Sequence, residues 1–480
     1  MDRIKSGADS GWYGKVCNMA DKVAYSAGYV FAVAILALIC NVWALELPVY
    51  TLYILMGVCV LAFCRDLLPL APLVVCGYIT PSIGNNPGRN PDSIFYWDKG
   101  GWFLMVLVAV VLVALVLRLW LDRENGFKRI FTEKRTLLWG MVAIGASYLL
   151  SGIGADGYGP LVGKNLFFAL LQFLSIGLMY FVLTASVQWD KAPRWYLPLI
   201  GVAVGLVVIA ELCNVYIIQS VVVDGVIDRV RIYTGWGMYN NIGGMLIMML
   251  PFPFYFACRR NFTWISIPAS ALFLVGIAMT SSRGAILTGL MVYFLCTAVT
   301  IVYAEDHRKT FWIFAVVLVS LTVVLILCWE QISQLLQLIL SIGFETSRND
   351  IFAEGLKQFA KYPVFGGSFY PIDFVPWDFS ELARFSDFFP PRWHNTAVQL
   401  LASCGILGLG AYLFHCFQVT KMFLEETSRL KAVIALSVLA LMVSSLLDCH
   451  FFNLGPVLFY SIALAVAEKT PPEPDKPEKI

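Results

Sequence analysis

Charged residues are scarce in this chain: only 14% of its 480 residues are Asp, Glu, Lys or Arg, while 59% are hydrophobic. A soluble domain needs a charged, solvated surface, so this balance excludes an ordinary soluble globular protein. The net charge of +2 gives no indication of nucleic-acid binding. Apolar runs of about eighteen residues or more are typical of membrane-spanning helices. The composition therefore predicts a membrane protein.

Metal and redox motifs are also missing from the sequence. The twelve cysteines form no CxxC pair and no Cys/His spacing of a metal site. Most of them lie inside apolar stretches, where cysteine behaves as a small hydrophobic residue. No internal repeat of the kind that marks many transporters is visible. We therefore expect no metal site and no cofactor.

The hydropathy pattern predicts an all-α polytopic membrane protein with about 12–14 transmembrane helices. The apolar stretches lie at 24–45, 47–64, 67–79, 102–121, 137–151, 165–187, 195–215, 240–258, 264–280, 284–302, 311–329, 396–417, 432–447 and 454–466. The expected division of the chain is a cytoplasmic segment at 1–23, N-terminal transmembrane helices at 24–239, a second transmembrane region at 240–468 and a disordered cytoplasmic tail at 469–480.

One long polar segment, 330–395, interrupts the apolar pattern. A membrane protein that places this much polar chain in one loop usually uses it for chemistry or recognition. If the N-terminus is cytoplasmic, 23 of the 34 Lys and Arg residues lie inside and 11 outside, five of them in this loop. Because basic residues favour the cytoplasmic side, this orientation is preferred. The loop is therefore predicted to be extracytoplasmic.

In this topology three helices begin at the outer surface with polar residues. The three starts are Tyr239-Asn240-Asn241, Ser281-Ser282-Arg283-Gly284 and Trp393-His394-Asn395-Thr396. Ser, Asn and Thr are favoured helix caps, and an exposed helix start presents free N–H groups and the positive end of the helix dipole. Such starts are suited to anions, and here to a phosphate or pyrophosphate at the outer leaflet.

Arg283 and His394 each have a structural and a functional interpretation. An arginine at the end of a span commonly extends to lipid headgroups, but its planar guanidinium also matches phosphate oxygens. A histidine at a membrane edge is more often a hydrogen-bonded structural residue, yet its pKa range suits it to accept a proton near neutral pH. His450, which follows Asp448 at a second outward turn, is a weaker candidate for the same role.

The polar loop begins with Ser347-Arg348-Asn349-Asp350 and continues as an amphipathic helix. Pro363 is expected to end this helix, and Gly366-Gly367 to form a turn. The helix can lie on the membrane surface and still take part in function. Arg348 has two possible partners, Asp350 or a substrate phosphate.

These motifs together resemble the O-antigen ligase/polymerase superfamily. The resemblance rests on Ser282-Arg283-Gly284, Arg348, Pro363 with Phe365-Gly366-Gly367, His394-Asn395 and Gly405-Ile406-Leu407-Gly408, and covers roughly residues 240–412. It implies a GT-C-like architecture and transfer of a glycan from undecaprenyl pyrophosphate to an acceptor sugar on the outer face of the cytoplasmic membrane. Two departures concern the acceptor: Gly366-Gly367 replaces an expected Gly-x-Gly spacing, and 374–389 is an insertion.

The resemblance also implies roles for individual residues in a metal-independent inverting glycosyltransferase. Arg283 and Arg348 would hold the pyrophosphate, and His394 would accept the proton of the attacking hydroxyl. The lipid-linked oligosaccharide donor, the glycan acceptor and membrane lipid are the expected partners. Three aromatic residues are candidates for stacking on sugar faces, with interfacial anchoring the preferred role for at least two of them: Tyr370, Trp377 and Trp393. The residues predicted to bind substrate are Arg229, Arg231, Asn240, Asn241, Ser282 and Asn395.

Two questions stay open at the level of sequence. A multi-pass transporter or flippase of lipid-linked glycans is the alternative class, although such proteins usually carry ionisable groups near the membrane midplane. In this chain Glu211 is the main charged residue within a span. Within the enzyme class, the sequence does not separate a ligase from a polymerase.

Overall fold

The computed structural model describes residues 12–78, 101–121, 135–156, 158–218, 221–223, 226–327, 329, 333, 347–369, 393–425 and 427–471. Regular structure in these residues is almost entirely helical, which confirms the all-α prediction. The helices are α1 Trp12–Ala24, α2 Ala27–Trp43, α3 Glu46–Phe63, α4 Leu70–Cys76, α5 Gly101–Leu121, α6 Leu138–Leu149, α7 Tyr158–Ser186, α8 Tyr196–Ile218, α9 Tyr239–Met249, α10 Phe252–Ala257, α11 Thr263–Met279, α12 Arg283–Tyr303, α13 His307–Leu327, α14 Ser347–Lys361, α15 Thr396–Glu425, α16 Arg429–Ser444 and α17 Leu454–Lys469.

Two very short antiparallel hairpins lie between α8 and α9. The first pairs β1 Val222–Val223 with β2 Val226–Ile227, and the second pairs β3 Tyr233–Thr234 with β4 Gly237–Met238. Single turns of 3-10 helix are present at Arg229–Arg231 and His450–Phe452.

Five of the described helices are long and apolar enough to cross a membrane, and a sixth span results if α1 and α2, bent by 64°, count together. The five are α3, α7 from Asn165 onward, α8, α12 and α15. The protein is therefore a multi-pass membrane protein. The exact number of 12–14 spans stays a prediction, since several apolar stretches hold shorter helices, such as α4 with seven residues.

Three predicted spans have boundaries or breaks that hydropathy did not reveal. The stretch 24–45 is helical from Ala27, because the Ser26 side chain caps α2 by accepting the Tyr29 N–H at 3.1 Å. The stretch 240–258 is divided into α9 and α10 at Pro251, whose ring lacks the N–H that a continuous helix needs. The stretch 396–417 lies in α15, which has a non-helical break at Gly405.

The break in α15 accommodates another part of the chain. Gly405 has φ 65° and ψ −160°, and Gly366 has φ 70°, conformations that disfavour any residue with a Cβ. The Gly367 N–H donates to the carbonyl of Ala402 at 2.7 Å, and the Ile406 N–H donates to the carbonyl of Pro363 at 2.9 Å. The segment after α14 thus supplies the hydrogen bonds that the broken helix loses. The two glycine motifs of the sequence are partners in space.

Helix packing gathers three helix starts at one end of the molecule. α9 packs against α12 and α16, α15 packs against α6 and α14, and α17 packs against α7. The connection between α16 and α17 lies at the same end as the starts of α9, α12 and α15. This end contains the residues that the sequence singled out.

Candidate functional site

Residues 445–453, called here the 445–453 turn, connect α16 to α17 and touch all three helix starts. The Ser445 carbonyl accepts the backbone N–H of Thr396 at 2.9 Å, which fixes the start of α15. The Asn453 amide donates to Oδ1 of Asn241 at 2.7 Å, which fixes the start of α9. The three starts that were predicted separately therefore meet around one turn.

The start of α12 joins the same cluster through close packing. The Ser282 hydroxyl donates to Oδ1 of Asn240 at 2.8 Å, so two predicted substrate-binding residues are in direct contact. A Cβ added at Gly243 would lie 2.6 Å from the Cβ of Ala285, and one added at Gly284 would lie 3.3 Å from the Cβ of Leu447. Glycine at these two positions allows α9, α12 and the 445–453 turn to approach closely.

Arg283 is the first residue of α12 and is partly exposed. It follows Ser281, which has φ 53°, and Ser282, which is extended. The Ser282 side chain does not cap the helix, because its hydroxyl is directed to Asn240. The first turn of α12 therefore keeps the electropositive character of an N-terminus without a side-chain cap, next to a guanidinium group.

His394 lies immediately before α15 and contacts an acidic residue of the 445–453 turn. Its Nδ1 is 3.1 Å from Oδ1 of Asp448, with the histidine side chain 35% exposed and that of the aspartate 13% exposed. His394 adopts φ 51°, which turns the chain from Trp393 into the helix. When Nδ1 donates its proton to the carboxylate, Nε2 is left as the basic nitrogen of the ring.

The Asp448 carboxyl is held in its charged form. Burial alone would raise its pKa, but the hydrogen bond to His394, the nearby charges of His450 and His394, and the Cys449 N–H outweigh burial. That backbone N–H donates to Oδ1 of Asp448 at 2.7 Å. The pKa of Asp448 therefore lies well below its ordinary value, and the residue is a carboxylate at neutral pH.

His450, the weaker candidate from the sequence, is buried on the other side of the turn. Its Nδ1 is 3.4 Å from Nδ2 of Asn453, the same amide that binds Asn241. A Cβ at Gly244 would lie only 2.7 Å from that Nδ1. His450 thus packs against the first turns of α9, and at 3% exposure it is placed to support the site rather than to meet a substrate.

Asn395 has a clear structural use. Its Oδ1 accepts the N–H groups of Ala397 at 2.9 Å and Val398 at 3.1 Å, and its Nδ2 donates to the Leu446 carbonyl at 2.8 Å. Together with the bond from Thr396 to Ser445, these contacts occupy the first-turn amides of α15. The expectation of free amides at all three starts therefore does not hold for this helix. A substrate-binding role for Asn395 stays a prediction.

Arg348 is the second residue of α14, and its side chain lies outside the described part of the chain. The helix itself, Ser347–Lys361, matches the predicted amphipathic helix and ends before Pro363. A Cβ at Gly355 would lie 2.6 Å from Val398 and 3.2 Å from Trp393, so α14 packs against the start of α15. Trp393 is 5% exposed and packs beneath α14, which corrects the expectation that it stacks on sugars or anchors at the membrane interface.

The two arginines before α9 have different surroundings. The guanidinium of Arg229 lies 5.6 Å from the ring centroid of Tyr239, at the start of α9. Arg231 forms an ion pair with Asp228 at 3.0 Å. Arg229 is therefore the better placed of the two for a ligand at the helix starts.

Asp448 is the residue that sequence reasoning undervalued. In the sequence it stands out only as a neighbour of His450, and its contact with His394 spans 54 positions. The only local signal was an acidic residue in a short turn between two apolar spans, and that pattern alone does not mark a functional residue. Trp377 and Tyr370, also considered for sugar stacking, lie outside the described residues. Among the described residues, no group of three His, Cys, Asp or Glu side chains is arranged to hold a metal ion.

The fold and site define a multi-pass membrane protein with a polar site at the ends of its helices. A family model described as O-antigen ligase matches residues 268–413, which include Arg283, Arg348, His394 and both glycine motifs. The match confirms the resemblance to the O-antigen ligase/polymerase superfamily, and it indicates a glycosyltransferase-like enzyme that uses a lipid-linked glycan donor and a glycan acceptor in the membrane. None of the curated proteins compared with the chain matches it.

Proposed function

We propose that this protein transfers a glycan from undecaprenyl pyrophosphate to an acceptor sugar on the outer face of the cytoplasmic membrane. The proposed reaction is a metal-independent displacement with inversion at the anomeric carbon. The product is either a ligated glycoconjugate or a longer polysaccharide.

One observation carries this proposal. The 445–453 turn binds His394 through Asp448 and packs on Gly284, the neighbour of Arg283. The same turn therefore contacts two groups: the histidine that is paired with a carboxylate, and the cationic, uncapped start of α12. A glycosyl donor with a diphosphate leaving group needs these two functions side by side.

The proposed step breaks the bond between the anomeric carbon and the phosphate oxygen of the donor. A bond forms between that carbon and the acceptor hydroxyl oxygen, whose proton passes to Nε2 of His394. Asp448 stabilises the resulting imidazolium and holds the ring in orientation, as an aspartate does for a histidine base in hydrolases. The departing undecaprenyl pyrophosphate keeps the electron pair, and Arg283 stabilises its added negative charge.

Arg348 is proposed to complete the phosphate site. It lies seven positions before Gly355, where α14 touches Trp393, so its backbone is about 10 Å from that contact along the helix. Asn240, Asn241, Ser282 and Arg229, at or beside the start of α9, are proposed to complete the substrate contacts.

The test measures glycan transfer by the full-length protein purified in detergent. A lipid-diphosphate glycan serves as the donor, and the products are detected by mass spectrometry. Arg283→Ala, Arg348→Ala and His394→Ala should each lower the rate on the order of 10²-fold or more. Arg260→Ala is the matched control, because Arg260 lies in the connection between α10 and α11, is 71% exposed and pairs with Asp306, which precedes α13. Chelator treatment should leave the rate unchanged.

Two results separate this function from the alternative class. A covalent glycan product in detergent, without a membrane, excludes simple transport of the donor. If the donor crosses the membrane of reconstituted vesicles and no covalent product forms, the result would favour a flippase and overturn the proposal. The anomeric configuration of the product, measured by NMR, tests inversion.

A further inference from the structure

An exposed cluster lies where the C-terminal end of α14 meets the loop between α6 and α7. The Tyr362 hydroxyl donates to Oδ2 of Asp156 at 3.1 Å, and the Asp156 N–H donates back to that hydroxyl oxygen at 3.2 Å. The Lys361 ammonium lies 3.3 Å from the same carboxylate and 5.1 Å from the Tyr362 ring centroid. The Asp156 and Lys361 side chains are 76% and 49% exposed. The cluster is thus open to solvent and internally ordered.

The loop that carries Asp156 is fixed to the candidate site by its backbone. The Gly152 N–H donates to the Phe365 carbonyl at 2.9 Å, and a Cβ at Gly152, where φ is 77°, would lie 2.4 Å from Ser368. The buried amide of Asn165 donates to the Ser151 carbonyl at 2.8 Å and accepts the Phe369 N–H at 2.8 Å. The start of this loop and the second turn of α7 are therefore attached to the segment that fills the break in α15.

Helix α14 sets the distance between this cluster and the proposed chemistry. Its middle, at Gly355, contacts Trp393, the residue before His394. Lys361 is six residues further, which is about 9 Å along the helix, and Arg348 lies about 10 Å away in the opposite direction. One end of α14 therefore carries the proposed phosphate contact and the other carries the cluster, with His394 beside the middle.

The chemistry of the cluster suits a sugar better than a lipid phosphate. Tyrosine offers an apolar ring face with a polar edge. A carboxylate accepts hydrogen bonds from sugar hydroxyl groups, and an ammonium donates hydrogen bonds to them. The carboxylate of Asp156 repels a phosphate. Asp156 also lies outside residues 268–413, the part that matches the ligase family. Lys361 and Tyr362 lie inside the matched part, so the cluster joins the matched region to the N-terminal helices.

The geometry points to Asp156, Lys361 and Tyr362 as a binding subsite for the acceptor glycan. This inference rests on the proposed glycan transfer, and it names the part of the surface that selects the acceptor. The subsite binds a neutral or weakly charged sugar unit next to the one that carries the attacking hydroxyl.

The test compares Tyr362→Ala and Asp156→Asn with the double variant Glu354→Gln, Lys357→Gln. The control residues, Glu354 and Lys357, form an exposed ion pair on the same helix, with 2.5 Å between Nζ and Oε1. Both transfer kinetics and direct glycan binding are measured with full-length protein in detergent. The glycan for the binding assay is released by mild acid from the surface of cells that express the protein. Each subsite variant should raise the acceptor KM and the glycan Kd about tenfold, or ~1.4 kcal/mol, with kcat and donor KM within about twofold of wild type.

The outcomes separate the subsite from the proposed function. Unchanged acceptor KM and glycan Kd in Asp156→Asn, an exposed change that preserves folding, overturn the subsite even if transfer is intact. A rise in donor KM instead also overturns it and assigns the cluster to the donor. A third outcome is that the wild-type protein binds glycan and the subsite variants do not, while neither catalyses transfer. In that case the subsite is supported and the proposed reaction is wrong. Equal losses in the control pair would show a general effect of α14 and overturn the subsite.

Discussion

Nδ1 of His394 lies 3.1 Å from Oδ1 of Asp448, across 54 positions of sequence and between two different helix ends. The contact gives His394 an orientation and a tautomer, and it ties the start of α15 to the 445–453 turn. The same turn reaches Gly284 and Asn241 at the other two helix starts. A change at Asp448 is therefore expected to affect the chemistry more than the binding of donor.

Asp448→Asn should lower kcat for glycan transfer on the order of 10²-fold, because an amide can hold the ring in the wrong tautomer and cannot stabilise the imidazolium. The KM for the donor should change by less than about threefold. Steady-state kinetics of the purified variant checks both quantities. A normal kcat would remove Asp448 from the mechanism.

The stability of the protein should depend on the ionisation of Asp448. Its folded pKa is depressed, so its contribution is present above the unfolded pKa of about 3.9 and is lost as pH falls below that value toward the folded pKa. Asp448→Asn should therefore unfold at a lower temperature than wild type at pH 7, and the difference should shrink below about pH 4. Thermal unfolding in detergent at several pH values measures this. A difference that grows with acid would contradict the depressed pKa.

The hydrogen bond between Ser282 and Asn240 should couple the starts of α12 and α9. Ser282→Ala and Asn240→Ala should each raise the donor KM about fivefold, the effect of losing ~1 kcal/mol. The double variant should be little worse than either single variant, because both remove the same bond. Fully additive effects on donor KM would show that the two residues act independently.

The break in α15 requires glycine at position 405. Gly405→Ala should destabilise the protein by about 1–3 kcal/mol from backbone strain, with a further loss because its Cβ would lie 2.3 Å from the Val364 carbonyl oxygen. Gly410→Ala on the same helix is the control, since nothing lies within 4 Å of its Cβ position. This control should be neutral or stabilising by up to about 1 kcal/mol. Thermal unfolding of the two variants, compared in one detergent, decides the point.

Local sequence patterns predicted several elements of the site correctly. Ser282 precedes α12, which begins at Arg283, and α14 occupies Ser347–Lys361 before Pro363, as the amphipathic pattern indicated. These features depend on residues within one or two helical turns of each other. Local propensity and periodicity are sufficient for them.

Contacts between distant segments were not predictable in the same way. Gly405 lies in an apolar stretch that hydropathy assigns to one continuous span, and its positive-φ backbone depends on the inserted segment that follows α14. The contact of Asp448 with His394 depends on how α15 and α16 pack. The hydrogen bonds from the first-turn N–H groups of α15 to the Asn395 side chain and to the Ser445 carbonyl also depend on that packing. A single sequence gives no direct signal for such long-range pairs.

The proposed function requires the site to face the outer side of the cytoplasmic membrane, and thiol labelling measures this directly. Lys357→Cys places a thiol on an exposed position of α14, and Lys421→Cys places one near the opposite end of α15. In spheroplasts, a membrane-impermeant maleimide should label Lys357→Cys at once and Lys421→Cys only after permeabilisation, with wild type as the background. The reverse pattern would place His394 and Arg283 in the cytosol and contradict transfer from a donor at the outer face.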